Sequence, residues 1–268
     1  MRPYECHTVP WLSIRFLRFG DRVVRAFAFA LLVLLLPGCD LPRDIEGTQD
    51  QVREGTLRVG VIDDAAPWAR WSSGEPQGVE AVLVRDLARQ LKADVQWVEG
   101  SDTEVFRALA AFELDLVIGG LERTSPWRKE VALSRPYLVS RVMVGWPPNR
   151  NAKQDLDGIR IAVKPHTSVV KKLKDRGAVP ATLNADGSLP LAAPEWQIRA
   201  RGLTPHEPIL ETRKRVFALP PGENRWLHTV QRFLFERQDD VPAMIQAQLS
   251  GTASGAQAAS SRVEGGAQ

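Results

Sequence analysis

The chain has 268 residues, of which 44% are hydrophobic and 25% charged, with 19 Pro and 20 Gly. That is apolar material for one large domain or two small lobes, and too much Pro and Gly for a plain helical bundle. The formal net charge is +3, but five basic and only two acidic residues fall in the first 38, so the remainder is balanced; with no basic stripe interleaved with aromatics, the composition argues against nucleic acid as a partner.

Taken in order, Ala26 to Leu36 (AFAFALLVLLL) is an uncharged run preceded by Arg22 and Arg25. Eleven residues are short for a bilayer span and suit the core of a secretory signal. The run ends in Leu36-Pro37-Gly38-Cys39, which resembles the lipobox of bacterial lipoproteins, with residues 1–38 as the signal peptide and Cys39 as the lipidated residue. A short buried helix with a chance cysteine and an uncleaved membrane anchor are the alternative readings. Cys6 and Cys39 are the two cysteines. Removal of the leader leaves one, so neither an internal disulfide nor a cysteine zinc site is expected. Residues 39–54 are polar and read as a flexible tether. Residues 251–268 are small and polar and read as a disordered tail.

Between these ends, strands and helices alternate. Leu57 to Ile62 suits a buried strand, ended by Asp63-Asp64 and Pro67. Val79, Val82, Leu83, Leu87 and Leu91 recur at helical spacing after Gly78. Val95 to Val98 reads as a strand, and Val105, Phe106, Leu109 and Phe112 as a helix face. Leu114 to Ile118 is a strand closed by Gly119-Gly120, and Thr124-Ser125-Pro126 reads as a helix start. Leu138 to Trp146 is extended, ended by Pro147-Pro148. A second unit then gives a strand at Ile159 to Val163 and a helix at Thr167 to Arg176. A helix at Ala192 to Arg201 and a strand at Arg215 to Leu219 follow. Trp226, Val230, Phe233 and Leu234 share one helix face, and Val241, Met244 and Ile245 continue it after Asp239-Asp240. This alternation predicts an α/β fold with mostly parallel sheet.

Several stretches resemble the family-3 solute-binding proteins of ABC importers, the polar amino-acid binding type. They are GTLRVGV (Gly55 to Val61), GVEAVLVRDLARQL (Gly78 to Leu91), ELDLVIGG (Glu113 to Gly120), RKEVALSRPYL (Arg128 to Leu138), DLDGIRIAV (Asp155 to Val163) and RVFALPPGENRWLHTVQRFL (Arg215 to Leu234). The spacing of Arg128, Ser134, Pro136 and Tyr137 is the most specific of these features. The resemblance implies a two-lobed type II periplasmic binding protein fold with a hinge of two crossing strands. The solute-binding domain is then 55–250, with lobe one at about 55–139 and 218–250 and lobe two at about 147–212. A solute sits in the cleft, and closure is a hinge motion.

The resemblance also implies site residues. Arg128 falls where the family places an Arg that forks onto the ligand carboxylate, a task suited to a guanidinium; on helix position alone the plainer reading is a surface charge. Gly120 and Glu122 match positions that assist that carboxylate, and Glu122 departs from the small or hydroxyl-bearing residues usual there. The family's aromatic lids fall at Asp102 and near Ala65, leaving Trp68, Trp71 or Trp127 as substitutes. Thr167 and Ser168 match the hydroxyl-bearing turn at a helix start in lobe two, where capping is the plainer reading. Glu195 is the candidate acceptor for a ligand ammonium. Asp64 and Trp68, after the first strand, complete the set.

Three functions compete. The leading one is a monomeric lipoprotein in the periplasm or outside the cell that binds a small polar or amino-acid-like solute and hands it to an ABC permease in the inner membrane. The second is a degenerate sensor or interaction lipoprotein without transport, motivated by the departures at Glu122, Asp102 and Ala65. The third is an enzyme on the same fold, such as a dehydratase, for which Glu122, Glu195 and His166 are the titratable candidates. The leading reading needs no cofactor and no metal.

Overall fold

The computed structural model describes residues 44–62, 67–72, 74–183 and 188–250. The expected signal peptide, Cys39, Asp64, Ala65 and the tail after residue 250 lie outside the described residues.

Two five-stranded sheets organise the chain. In the first, β1 (Thr56–Val61) lies between β4 (Asp94–Glu99) and β5 (Leu116–Ile118) and runs parallel to both. β12 (Ala218–Leu219) pairs antiparallel with β5 and with β6 (Ala132–Leu133). Between β1 and α2 (Val79–Leu91) lies a short hairpin of β2 (Arg70–Ser72) and β3 (Glu75–Gln77). The crossovers to β4 and β5 are α2 and α3 (Asp102–Ala110).

The period of two along a strand sorts the side chains by face. Leu57, Val59, Val61, Leu116 and Ile118 join Leu83 and Leu87 of α2 and Trp226, Val230 and Phe233 of α6 (Asn224–Arg237) in one core. Val117 and Ala218 face the other way, onto Val105, Phe106 and Leu109 of α3. α3 starts at Ser101 with a capping box: the Ser101 side chain accepts from the Glu104 amide, and Glu104 accepts from the Ser101 amide.

The second sheet runs in the order β11-β7-β10-β8-β9. Its strands are β7 (Leu138–Trp146), β8 (Arg160–Val163), β9 (Val179–Ala181), β10 (Leu191–Pro194) and β11 (Thr204–Arg215). Val142, Val144, Trp146, Ile161 and Val163 pack on Val169 and Leu173 of α4 (Ser168–Lys174). Met143, Ala162, Leu191 and Ala193 face Ile198 of α5 (Glu195–Ala200) on the opposite side. Each sheet thus has helices on both faces and its own core, the architecture expected of two lobes.

β7 carries the chain out of the first sheet and β11 brings it back. They pair antiparallel from Trp146 opposite Thr204 to Leu138 opposite Arg215, with a register shift between His206 and Glu211.

Three elements differ from expectation. Residues 192–201 are not one helix: Leu191–Pro194 is a strand, and Pro194, extended at its own φ and ψ, turns the chain into α5. Arg215 to Leu219 is not one strand: Arg215 ends β11, the buried Val216 and Phe217 bridge the sheets, and only Ala218–Leu219 pair in the first. The segment read as a tether is packed from residue 44 onward. There α1 (Thr48–Val52) buries Val52, and the Glu46 and Thr48 amides donate to the buried Glu223 carboxylate at 2.8 and 3.1 Å.

Candidate functional site

In lobe one, β1 is flanked by β4 on one side and β5 on the other, so successive connections leave its carboxyl end in opposite directions. Such a switch point is where open α/β sheets form a crevice. Here Trp68, after β1, and Gly119-Gly120, after β5, line a cavity of about 390 Å³. Lobe two supplies Lys164 and Thr167 beyond β8, the end of β10, and Trp196 and Gln197 of α5. The hinge strands supply Val142, Arg213 and Arg215. Trp68 and Trp196 meet edge to face across the lobes, with ring centroids 5.8 Å apart.

The lobe-one wall is set by a buried carboxylate. Glu80, on the first turn of α2, accepts from the Gly119 and Gly120 amides at 2.7 and 2.9 Å and from the Tyr137 hydroxyl at 2.5 Å. Burial pushes its carboxyl above the usual range, while Tyr137, the two amides and Arg215 pull the other way. Tyr137 is pushed up in turn, by burial and by the Glu80 charge. Both glycines are required by space and backbone. Gly120 has φ +68, and a Cβ there would lie 2.7 Å from Trp68 Cδ1; Gly119 has φ +143, and a Cβ there would lie 2.6 Å from Ile62 Cβ. The Gly120 amide is therefore engaged with Glu80.

The hinge wall is cationic. Arg215 is buried, its guanidinium sits 4.8 Å over the Trp68 ring, and its Nη1 donates to the Gly120 carbonyl. Its Nη2 lies 3.4 Å from Glu122 Oε1, and its Nε has no hydrogen-bond partner. Glu122 and Arg215 face each other in an antiparallel bridge. Two residues earlier, Arg213 Nε donates to Glu211 Oε1 at 3.0 Å and lies 3.8 Å from Glu122 Oε1. Glu211 also accepts from Ser168 Oγ at 2.6 Å and Lys172 Nζ at 2.9 Å. Burial alone would raise its carboxyl, but Ser168, Lys172 and Arg213 outweigh that and hold it below the usual range.

The expected site residues divide. Gly120, Glu122, Thr167 and Trp68 line the cavity. Thr167 is at the α4 N-cap position without a capping bond; its hydroxyl donates to the Lys164 carbonyl at 3.0 Å. Ser168 turns to Glu211. Arg128 lies on a 3₁₀ turn (Pro126–Lys129), is exposed, and is not among the lining residues; its Nη1 lies 3.4 Å from the Thr124 and Ser125 carbonyls. Glu195 pairs with Arg141 at 2.6 Å in a separate groove lined also by Pro242, Ala243 and Gln246. Trp127 stacks on Phe106 at the lobe-one core, with centroids 5.1 Å apart. Asp64 lies outside the described residues.

The sequence reading missed Arg213, Arg215, Glu80 and Trp196. Glu211, Arg213 and Arg215 alternate along ETRKR, and a strand reading of that run would have put them on one face. Glu80 was visible as a charge inside the apolar face of α2. Among the described residues, no group of His, Cys, Asp and Glu is arranged to hold a metal.

Two α/β lobes joined by paired hinge strands, with a cavity between them, define the two-lobed type II periplasmic binding protein fold. The model of the bacterial extracellular solute-binding proteins, family 3, matches residues 57–246, and the chain belongs to that family. It is similar to a probable histidine-binding protein of Campylobacter jejuni, 22% identical over 147 residues, covering 53% of this chain and 57% of that protein. It is also similar to the membrane-bound lytic murein transglycosylase F of Vibrio cholerae, 29% identical over 138 residues, covering 49% of this chain and 26% of that protein. The matches thus span about half and a quarter of the curated relatives' lengths. Among solved structures, an ancestral cationic amino acid solute-binding protein superposes with a TM-score of 0.61 at 18% identity, covering 75% of this chain and 98% of that one.

Proposed function

We propose that the interlobe cavity binds a small polar solute and that the chain delivers it to an ABC permease. The carrying observation is the cavity itself: it draws lining from both lobes and from the hinge, so a guest touches every part that must move for the lobes to close. Membership of an extracellular solute-binding family supports the export reading. The LPGC run at Leu36 to Cys39 supports an anchor on lipidated Cys39, with the domain in the periplasm or outside the cell.

Binding rather than catalysis is the proposed role. Of the three titratable candidates, Glu122 lines the cavity, Glu195 is paired elsewhere with Arg141, and His166 is exposed and outside the lining. General acid–base work needs such groups gathered around one reacting atom.

A panel of amino acids, amines and small organic acids, read by thermal denaturation and tryptophan fluorescence, tests the binding role. A true guest at a hundred times its Kd adds about 2.7 kcal/mol by mass action, roughly 5–10 °C for a domain of this size. The guest should also perturb emission from Trp68 and Trp196. A panel without effect would contradict solute binding. It would favour the sensor reading, which the internal engagement of the Gly119 and Gly120 amides and of Arg215 already motivates. For the anchor, Cys39→Ser should move the protein from the membrane to the soluble fraction; retention in the membrane pellet would make the apolar run an uncleaved anchor.

A further inference from the structure

The charge of the cavity identifies a class of guest. We infer that the solute is a small dianion, of the dicarboxylate kind, held by Arg213, Arg215 and Lys164. The inference rests on the reading that the interlobe cavity is the solute site.

Among the described lining residues, three are cations and one, Glu122, is an anion. Glu122 lies between the two arginines, 3.4 Å from Arg215 and 3.8 Å from Arg213. With Glu211 and Lys172 just behind and the enclosed Glu80 counted, four cations face three carboxylates, and positive charge is left over at the cavity. Donor capacity is left over as well. Arg215 has a side chain only 10% exposed, yet its Nε has no partner. That nitrogen is enclosed, so the donors open to a guest are those of Arg213. Arg213 spends Nε on Glu211, and its terminal nitrogens make no hydrogen bond among the described residues. These are the nitrogens that grip a carboxylate in parallel. Lys164, on the opposite lobe, is exposed and makes no ion pair among the described residues.

A zwitterionic or cationic amino acid fits less well. Its ammonium needs an acidic acceptor, and the described cavity offers only Glu122, already shared by two arginines. Glu211, just behind, is saturated by Ser168, Lys172 and Arg213. An acid group at each end of a short guest instead spans hinge and lobe two, so closure brings Lys164 onto the second anion. The three cations then contribute most in the closed state, which is the differential affinity that closure requires.

Calorimetry on the purified chain tests this with malonate, succinate, glutarate, L-glutamine and L-arginine. At least one dicarboxylate should bind, at least about tenfold more tightly than either amino acid, because charge-assisted bonds are the strong ones. Its affinity should fall roughly tenfold or more in Arg213→Gln and in Lys164→Gln, which each remove one such contact. It should rise several-fold in Glu122→Gln, which removes a like charge from the cavity. Lys164 makes no ion pair among the described residues, so its variant keeps the test valid if Arg213→Gln unfolds. If L-glutamine or L-arginine binds more tightly than all three diacids, the dianion class is overturned and the solute-binding reading stands. If a diacid binds equally well to wild type, Lys164→Gln and Glu122→Gln, the assignment to these residues is overturned. If none of the five binds, the dianion inference fails, and the broader solute panel decides the binding reading separately.

Discussion

Single carboxylates hold the pieces of this molecule together, and they differ in what each costs. Glu80 is fully enclosed and bonded to two amides and a hydroxyl, so the energy that burial removes is largely restored by its partners. Asp44 is less well served. It lies beside Glu223, and burial together with the Glu223 carboxyl pushes its pKa up to about 6. Glu223 is held low by Asp44 and by the Glu46 and Thr48 amides, against the effect of its burial. The sign for Asp44 follows from linkage. Between its ordinary value of 3.8 and about 6, the folded chain keeps a proton that the unfolded chain has released. Its contribution to stability is therefore complete below the ordinary value and is lost as pH rises through the folded one. Asp44→Asn keeps a donor to Glu223 without the titration. The variant should match wild type near pH 4 and melt about 1–2 °C higher at pH 7, a gain kept small by the partial exposure of Asp44. A difference in melting temperature that stays flat from pH 4 to 7 would contradict the shared proton.

At the scale of elements, legibility followed periodicity. β1, β7, β8, α2, α3 and α6 were readable because each buries a regular face, and Trp226, Val230, Phe233 and Leu234 are all buried as their spacing requires. β11 was not readable. Its sequence, TPHEPILETRKR, is mostly polar, because one edge is open and the end that returns to lobe one faces the cavity rather than a core. The same feature hid half the candidate site. Gly120, Glu122 and Thr167 were implied by the family resemblance and Trp68 as a substitute for its aromatic lid, whereas Arg213 and Arg215 lie on the strand that was not recognised. Arg128 stood out by its spacing from Ser134, Pro136 and Tyr137. The structure gives that spacing another physical sense: the Ser134 hydroxyl accepts from the Phe217 amide at 2.9 Å and Tyr137 bonds Glu80, so the motif ties the hinge entry to the lobe-one core.

For the whole molecule, the two sheets meet through β7 and β11, through Val216 and Phe217 between β11 and β12, and through the Trp68–Trp196 contact. A hinge of two paired strands is stiff along its length and free to bend across it, which suits lobes that close on a guest. The proposed guest lies in this cavity and engages both lobes at once. Amide hydrogen exchange, with and without the tightest-binding solute of the panel, tests this placement most directly. Protection should appear together in residues 119–122 of lobe one, 164–169 of lobe two and 211–215 of the hinge. Protection confined to one lobe, or absent from all three segments while the solute is bound, would contradict it.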